Sequence, residues 1–220
     1  MVVGMPTTQR RARSQAAKRE RWNDLLTAAR TLATRDGVGA VTLSAVTEAA
    51  GLHPSAVRRY FESKEELFLE LAEQEWRSWR MAVVTELDGR TGLPPDAVAG
   101  VIASTLVAHP LFCDLLAHVA LTLEDGVTYD RVLQYKTAAF EDYDAIAEAV
   151  ASSSGSVGLA GAQDVLSGTL ALTSYLWQVA HPGPVLARVY AEVPRWGHTV
   201  THFEGDLKRL ITDLVVGAGA

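Results

Sequence analysis

Cysteine is nearly absent: Cys113 is the only one in 220 residues, which excludes an intrachain disulfide and a thiolate metal cluster. Long hydrophobic runs are missing as well. The longest stretch without charge, residues 165–187, is broken by Ser167, Thr169, Thr173, Ser174, Gln178, His181 and two prolines. It predicts a buried helix and not a membrane span. No apolar run near the N-terminus could serve as the core of a secretory signal, so a cytoplasmic protein with no membrane partner is expected. No long internal repeat is present.

Patterns for catalysis or metal binding are equally scarce. His198 and His202 have the i, i+4 spacing of a helical metal pair, but no carboxylate or thiol motif joins them or the scattered His109, His118 and His181. Cys113 has Asp114, His109 and His118 as neighbours in sequence, without an orienting third group or an oxyanion turn. No metal, no cofactor and no enzymatic activity are expected.

What the sequence does have is an uneven charge. Residues 1–63 carry 10 Lys/Arg against 5 Asp/Glu, net +5, whereas residues 64–220 carry 10 against 21, net −11, for a total of −6. A basic head on an acidic body concentrates attraction for a polyanion in the head. Hydrophobic residues make up 48% of the chain, enough to bury a core in a small domain joined to a larger one.

The head contains a specific pattern. Thr42 is a good N-cap, and Leu43, Val46 and Ala50 recur at helical spacing, which predicts a short helix over 43–50 with one apolar face. Gly51 stands where a left-handed C-terminal cap is needed, and Pro54 suits the first turn of a new helix. That second helix, 54–61, can bury Ala56, Val57 and Phe61 while Ser55, Arg58, Arg59 and Tyr60 supply donors, as a helix lying in a major groove must. Ser63 and Glu66 then form a capping box for a third helix, with Lys64 at its start.

The residues Gly39, Thr42-Leu43, Ala49-Ala50-Gly51-Leu52 and Tyr60-Phe61-x-Ser63-Lys64-Glu65-Glu66-Leu67 resemble the N-terminal DNA-binding domain of the tetracycline-repressor (TetR) family of transcription regulators. The resemblance covers about residues 18–68, with helix 1 over 18–36 and Leu25, Ala29 and Leu32 facing the two short helices. It implies an all-α fold: a flexible basic arm (1–17), a three-helix helix-turn-helix domain (18–63) and a larger helical regulatory and dimerisation domain (64–220). The candidate DNA-facing residues are Thr42, His53, Ser55, Ala56, Arg58, Arg59, Tyr60 and Lys64. Two positions depart from the family's pattern. His53 stands where a small or hydroxyl residue is usual, and Arg58 where an aromatic is usual, so Arg58 is free to hold a phosphate or read a guanine edge.

The body reads as helices over 64–87, from 96, from 110, over 129–150, over 162–180 and over 199–216. The helix over 162–180 is apolar nearly all round and must be covered on every side. By resemblance, the last two long helices pair across a twofold axis, giving a homodimer on a pseudo-palindromic double-stranded operator, with Leu172, Trp177, Phe203, Leu207, Leu210 and Leu214 as interface candidates. The resemblance also implies a small-molecule effector, so far unspecified, in the body, for which Trp76, Trp79, Phe112, His118, Tyr135, Tyr143 and Tyr175 are pocket candidates. The expected function is a repressor released by its ligand. The alternatives are a regulator of the same fold whose body binds a partner protein or nothing, and an α-helical enzyme or carrier.

Overall fold

The computed structural model describes residues 7–193, 195, 196 and 202–220, with side chains from residue 15 onward except those of Pro54, Ser55 and the omitted segments. Among these residues there are ten α-helices and no strand; a single isolated bridge links Leu93 to Ser154. In chain order the helices are α1 Thr7–Asp36, α2 Leu43–Ala49, α3 Pro54–Val57, α4 Lys64–Leu87, α5 Pro95–Val107, α6 Pro110–His118, α7 Tyr129–Ser153, α8 Leu159–Ala180, α9 Pro184–Glu192 and α10 Phe203–Ala218. A 3-10 turn, Val38–Ala40, follows α1, and a π-turn, Val119–Leu123, extends α6.

The helix-turn-helix is built as its sequence dictates. Thr42 Oγ1 accepts the Ala45 N–H at 3.2 Å. After α2, Gly51 adopts φ +65°, the Gly51 N–H reaches the Glu48 carbonyl at 2.9 Å and the Leu52 N–H reaches that of Thr47 at 3.0 Å. This paired closure satisfies the last carbonyls of α2 and needs the left-handed glycine. The regular part of α3 ends at Val57, earlier than the expected 61, but turns continue it: the Tyr60 and Phe61 N–H groups both donate to the Val57 carbonyl, at 2.8 and 3.0 Å. Phe61 stacks on Trp22 of α1, ring centroids 6.0 Å apart. Leu25, Ala29, Val46 and Val57 close the small core beneath.

Ser63 caps α4 by accepting the Glu66 N–H at 3.1 Å. The returning Glu66 carboxylate takes the N–H of Glu62 at 2.6 Å, one residue earlier than in a standard capping box. From there α4 crosses into the body as its central helix, burying Leu67, Phe68, Leu71, Trp76, Trp79 and Val83. Ion pairs fix it on two sides: Arg30 of α1 to Glu75, and Arg131 and Asp142 of α7 to Glu73 and Arg80.

Three expectations about elements are corrected. Helix α1 begins at Thr7 and not near 18, so residues 7–17, expected as a flexible arm, are helical; this segment has no glycine or proline and is mostly Arg, Ala and Gln, all good helix formers. Helix α9 is new: no helix is expected between 180 and 199, but Pro184 occupies the first turn of one, where proline is favoured. The last helix starts at Phe203, and residues 197–201, with His198, lie outside the described residues.

Candidate DNA-binding head and body cavity

The turn that continues α3 presents Arg58 and Arg59 outward, while Val57 and Phe61 hold it down. Val57 and Phe61 are 4% and 3% exposed, whereas Arg58 and Arg59 are exposed and Ala56 and Tyr60 are half-buried. His53 and Thr42 are exposed on the same short segment of chain; the Ser55 side chain lies outside the described set. Two guanidinium groups on the exposed turn after α3 can each form paired hydrogen bonds to a guanine edge or hold a phosphate. Replacing Arg58 or Arg59 with alanine should cost about 1 to 3 kcal/mol of operator binding, with relaxed choice at one base pair, if that arginine reads a base. Competition titrations with single-base operator variants check this: a loss equal for every sequence marks a phosphate contact instead.

Lys64 has a role that spacing could not reveal. Its Nζ donates to the carbonyls of Val38 at 3.0 Å and Gly39 at 3.3 Å and lies 5.5 Å from the Phe68 ring centroid. Burial lowers its pKa, with Glu65 acting in the opposite sense. Two of the three ammonium donors are therefore spent on tying the 3-10 turn to α4, and a phosphate contact would use what is left.

The pocket candidates divide sharply. Trp76, Tyr135 and Tyr143 come together with Leu116, Val119, Ala139, Phe140 and Leu170 around a cavity of about 340 Å³ between α4, α6, α7 and α8. Trp76 Nε1 donates to the Tyr135 hydroxyl at 3.2 Å, and burial raises the pKa of that phenol. The Tyr143 hydroxyl lies 2.9 Å from Ser167 Oγ, another lining group. Lys136, also lining, is paired with Glu124 at 2.7 Å.

The other four candidates lie elsewhere. Trp79 and Phe112 form the packed layer behind Trp76, with centroid separations of 4.9 to 5.7 Å among the three rings. His118 faces the head, against Gly39. Tyr175 is 68% exposed, because it falls on the outer side of α8 with Ala171. Residue type had marked all seven alike; direction on the helix separates them. The signal for the missed lining residues is the i, i+4, i+8 row Tyr135, Ala139, Tyr143, in which a small residue between two tyrosines leaves room.

Leu207 is corrected as an interface residue. With Ile211 and Val215 it is fully buried inside the protomer, since α10 packs on α5 and α8 and this stripe closes the core. Leu172, Trp177, Phe203, Leu210 and Leu214 are half-buried. Trp177 stacks on His181 and meets Phe203 edge-on at 5.2 Å, and Leu214 covers Gly168 so closely that a Cβ there would lie 2.8 Å from Leu214 Cδ1.

Cys113 is buried, its thiol donating to the Leu106 carbonyl at 3.3 Å, and burial pushes its pKa up to about 12. A neutral, enclosed thiol is not a nucleophile. Among the described residues no group of three or more His, Cys, Asp or Glu is placed to hold a metal, and no single helix is long and apolar enough to cross a membrane.

A capped helix-turn-helix with exposed arginines, carried on a helical body, defines a DNA-binding transcription regulator. The sequence profile described as "Bacterial regulatory proteins, tetR family" matches residues 25–71, and that described as "Tetracyclin repressor-like, C-terminal domain" matches residues 73–220. The chain belongs to the TetR family of transcription regulators, which act as transcription factors and not as enzymes. Its fold is similar to that of the TetR family regulator PfmR from Thermus thermophilus, with TM-score 0.53 and 15% identity over 88% of this chain and 97% of that one. It is also similar to FadR from Bacillus subtilis in complex with stearoyl-CoA, with TM-score 0.52 and 12% identity over 90% of this chain and 98% of that one. A comparison with curated proteins found no match.

Proposed function

We infer that the protein is a cytoplasmic homodimeric repressor that leaves a pseudo-palindromic operator when a small molecule fills the cavity beside Trp76. Its head is residues 18–63 and its regulatory body residues 64–220. The observation that carries this reading is the cavity itself. Its 340 Å³ lies within the usual size range of ligand sites, its walls are mostly aromatic and aliphatic, and its polar groups are few. It sits against α4, the helix that leaves the head at Lys64 and reaches the cavity at Trp76. The lining suits a largely apolar or aromatic molecule that bonds to the Tyr143 and Ser167 hydroxyls. The neighbour FadR holds stearoyl-CoA, so the fold admits an effector with a long apolar portion.

Support for the dimer comes from the outer side of α8. Ala171 and Tyr175 are exposed there, and no charged residue follows Asp164 on this helix. Half-buried Leu210 and exposed Val216 of α10 add apolar surface for a twofold partner.

The ligand reading is tested by screening small molecules for thermal stabilisation and then for operator release. A compound that does both should lose both effects in Ala139→Trp, which fills the cavity from α7. Release of the operator from Ala139→Trp at unchanged compound concentration would place the effector elsewhere.

A further inference from the structure

Helix α6 faces two ways. Asp114 and Leu116 are two residues apart, about 200° around an α-helix, and their surroundings differ accordingly. Leu116, with Val119 and Ala120 of the π-turn, lines the apolar cavity. Leu111, Asp114 and His118, spaced i, i+3 and i+7, line a separate cleft against residues 33–40 of the head. Helix α6 therefore borders both the cavity and the cleft.

On the head side, the Asp114 carboxylate is a junction of three elements. Oδ2 accepts the Val38 N–H at 2.7 Å, Oδ1 accepts Gln178 Nε2 of α8 at 3.1 Å, and His118 Nε2 lies 3.8 Å from Oδ1. The His118 ring fills the space beside Gly39, where a Cβ would come within 3.4 Å of Cε1. From the opposite side Lys64 binds the carbonyls of Val38 and Gly39. The same 3-10 turn is thus held through its N–H by α6 and through its carbonyls by α4. Val38 is 1% exposed, so water cannot readily replace the carboxylate as acceptor.

We propose that Asp114 is the coupling residue of the protein: by holding the Val38 amide it transmits the position of α6, set by occupancy of the cavity, to the DNA-reading head. The proposal rests on the cavity being the effector site. A group that pushes on the Leu116 side of α6 moves Asp114 on the other side as part of one rigid turn. The hydrogen bond to Val38 is lost or redirected, and the head, still tied to α4 through Lys64, changes its angle to the body.

The test uses the full-length protein on an operator duplex enriched from a random pool, with Leu116→Trp as a built-in occupant of the cavity. Leu116→Trp is expected to change operator affinity by about tenfold, inside the usual range of coupling between sites, and to speed amide exchange at Val38 by a similar factor. With Asp114→Ala already present, the same substitution should change affinity by less than roughly twofold, the limit for independent sites. Asp114→Asn, which keeps an oxygen acceptor for Val38, should restore the larger response. A purely structural Asp114 would instead lower thermal stability and leave the Leu116→Trp response equal in both backgrounds, which overturns the proposal while ligand control stands. If Asp114→Ala does not fold, Val38 exchange in Leu116→Trp decides: unchanged protection beside altered operator affinity overturns the coupling. No response to Leu116→Trp in any background overturns both the coupling and control through this cavity.

Discussion

Trp79→Ala is expected to destabilise the protein by about 3 to 5 kcal/mol, the range for deleting a buried large aromatic. For a chain of this length that corresponds to a fall in Tm of roughly 6 to 20 °C. Trp79 is fully buried, its Nε1 donates to Thr105 Oγ1 at 3.1 Å, and its ring packs against both Trp76 and Phe112. Alanine removes the ring from a layer joining α4, α5 and α6, and the surrounding helices cannot close the space without moving. Trp79→Phe should lose much less, because it keeps the ring contacts and gives up one hydrogen bond whose partner Thr105 retains the Val101 carbonyl at 2.8 Å. Thermal unfolding followed by near-UV dichroism gives both values. A loss below about 1 kcal/mol for the alanine variant would show that the layer behind the cavity is not what holds the body together. The prediction bears on function because this layer backs Trp76, the α4 wall of the cavity.

Tyr175→Asp is expected to convert the proposed dimer to a monomer and to weaken operator binding by two to four orders of magnitude. The size follows from losing the intramolecular second half-site, a gain of about 10² to 10⁴ when geometry permits both contacts. Tyr175 is 68% exposed in the protomer, so a carboxylate there leaves the fold of the single chain undisturbed and acts only when a partner covers α8. Leu210→Asp, on half-buried surface of α10, should do the same with some loss of stability. Sedimentation at micromolar protein reads the assembly state, and a Tyr175→Asp protein that remains dimeric with full operator affinity would move the interface away from α8.

Local signals in the sequence were strong enough to give most helices. The Ser63 cap and the glycines at 89 and 92 define α4 as Lys64–Leu87, and Thr42, Gly51 and Pro54 define the turn between α2 and α3. Proline was ambiguous, since Pro184 both follows one helix and opens the next, and the sequence pattern carries no sign of which role dominates. The lining of the candidate cavity was legible in part by residue type and illegible by direction. Trp76, Tyr135 and Tyr143 reach the cavity, but Trp79, three residues from Trp76, turns into the core and Tyr175 turns outward. Contacts between distant residues left no trace at all: Asp114 and Val38 are 76 positions apart, and Lys64, chosen as a DNA-facing residue, is first of all a ligand of backbone carbonyls. Leu207 shows the same limit, because an amphipathic helix announces that it has an apolar face without saying whether its own chain or a second copy covers it.

Selection of bound duplexes from a random DNA pool tests the account most directly, because it requires the head and the dimer together. The account predicts an enriched inverted repeat whose half-site centres are about 10 to 10.5 base pairs apart or somewhat more, as two α3 helices on one face of the duplex require. Enrichment of a single unpaired half-site, or of no sequence at low salt by a folded protein, would contradict it.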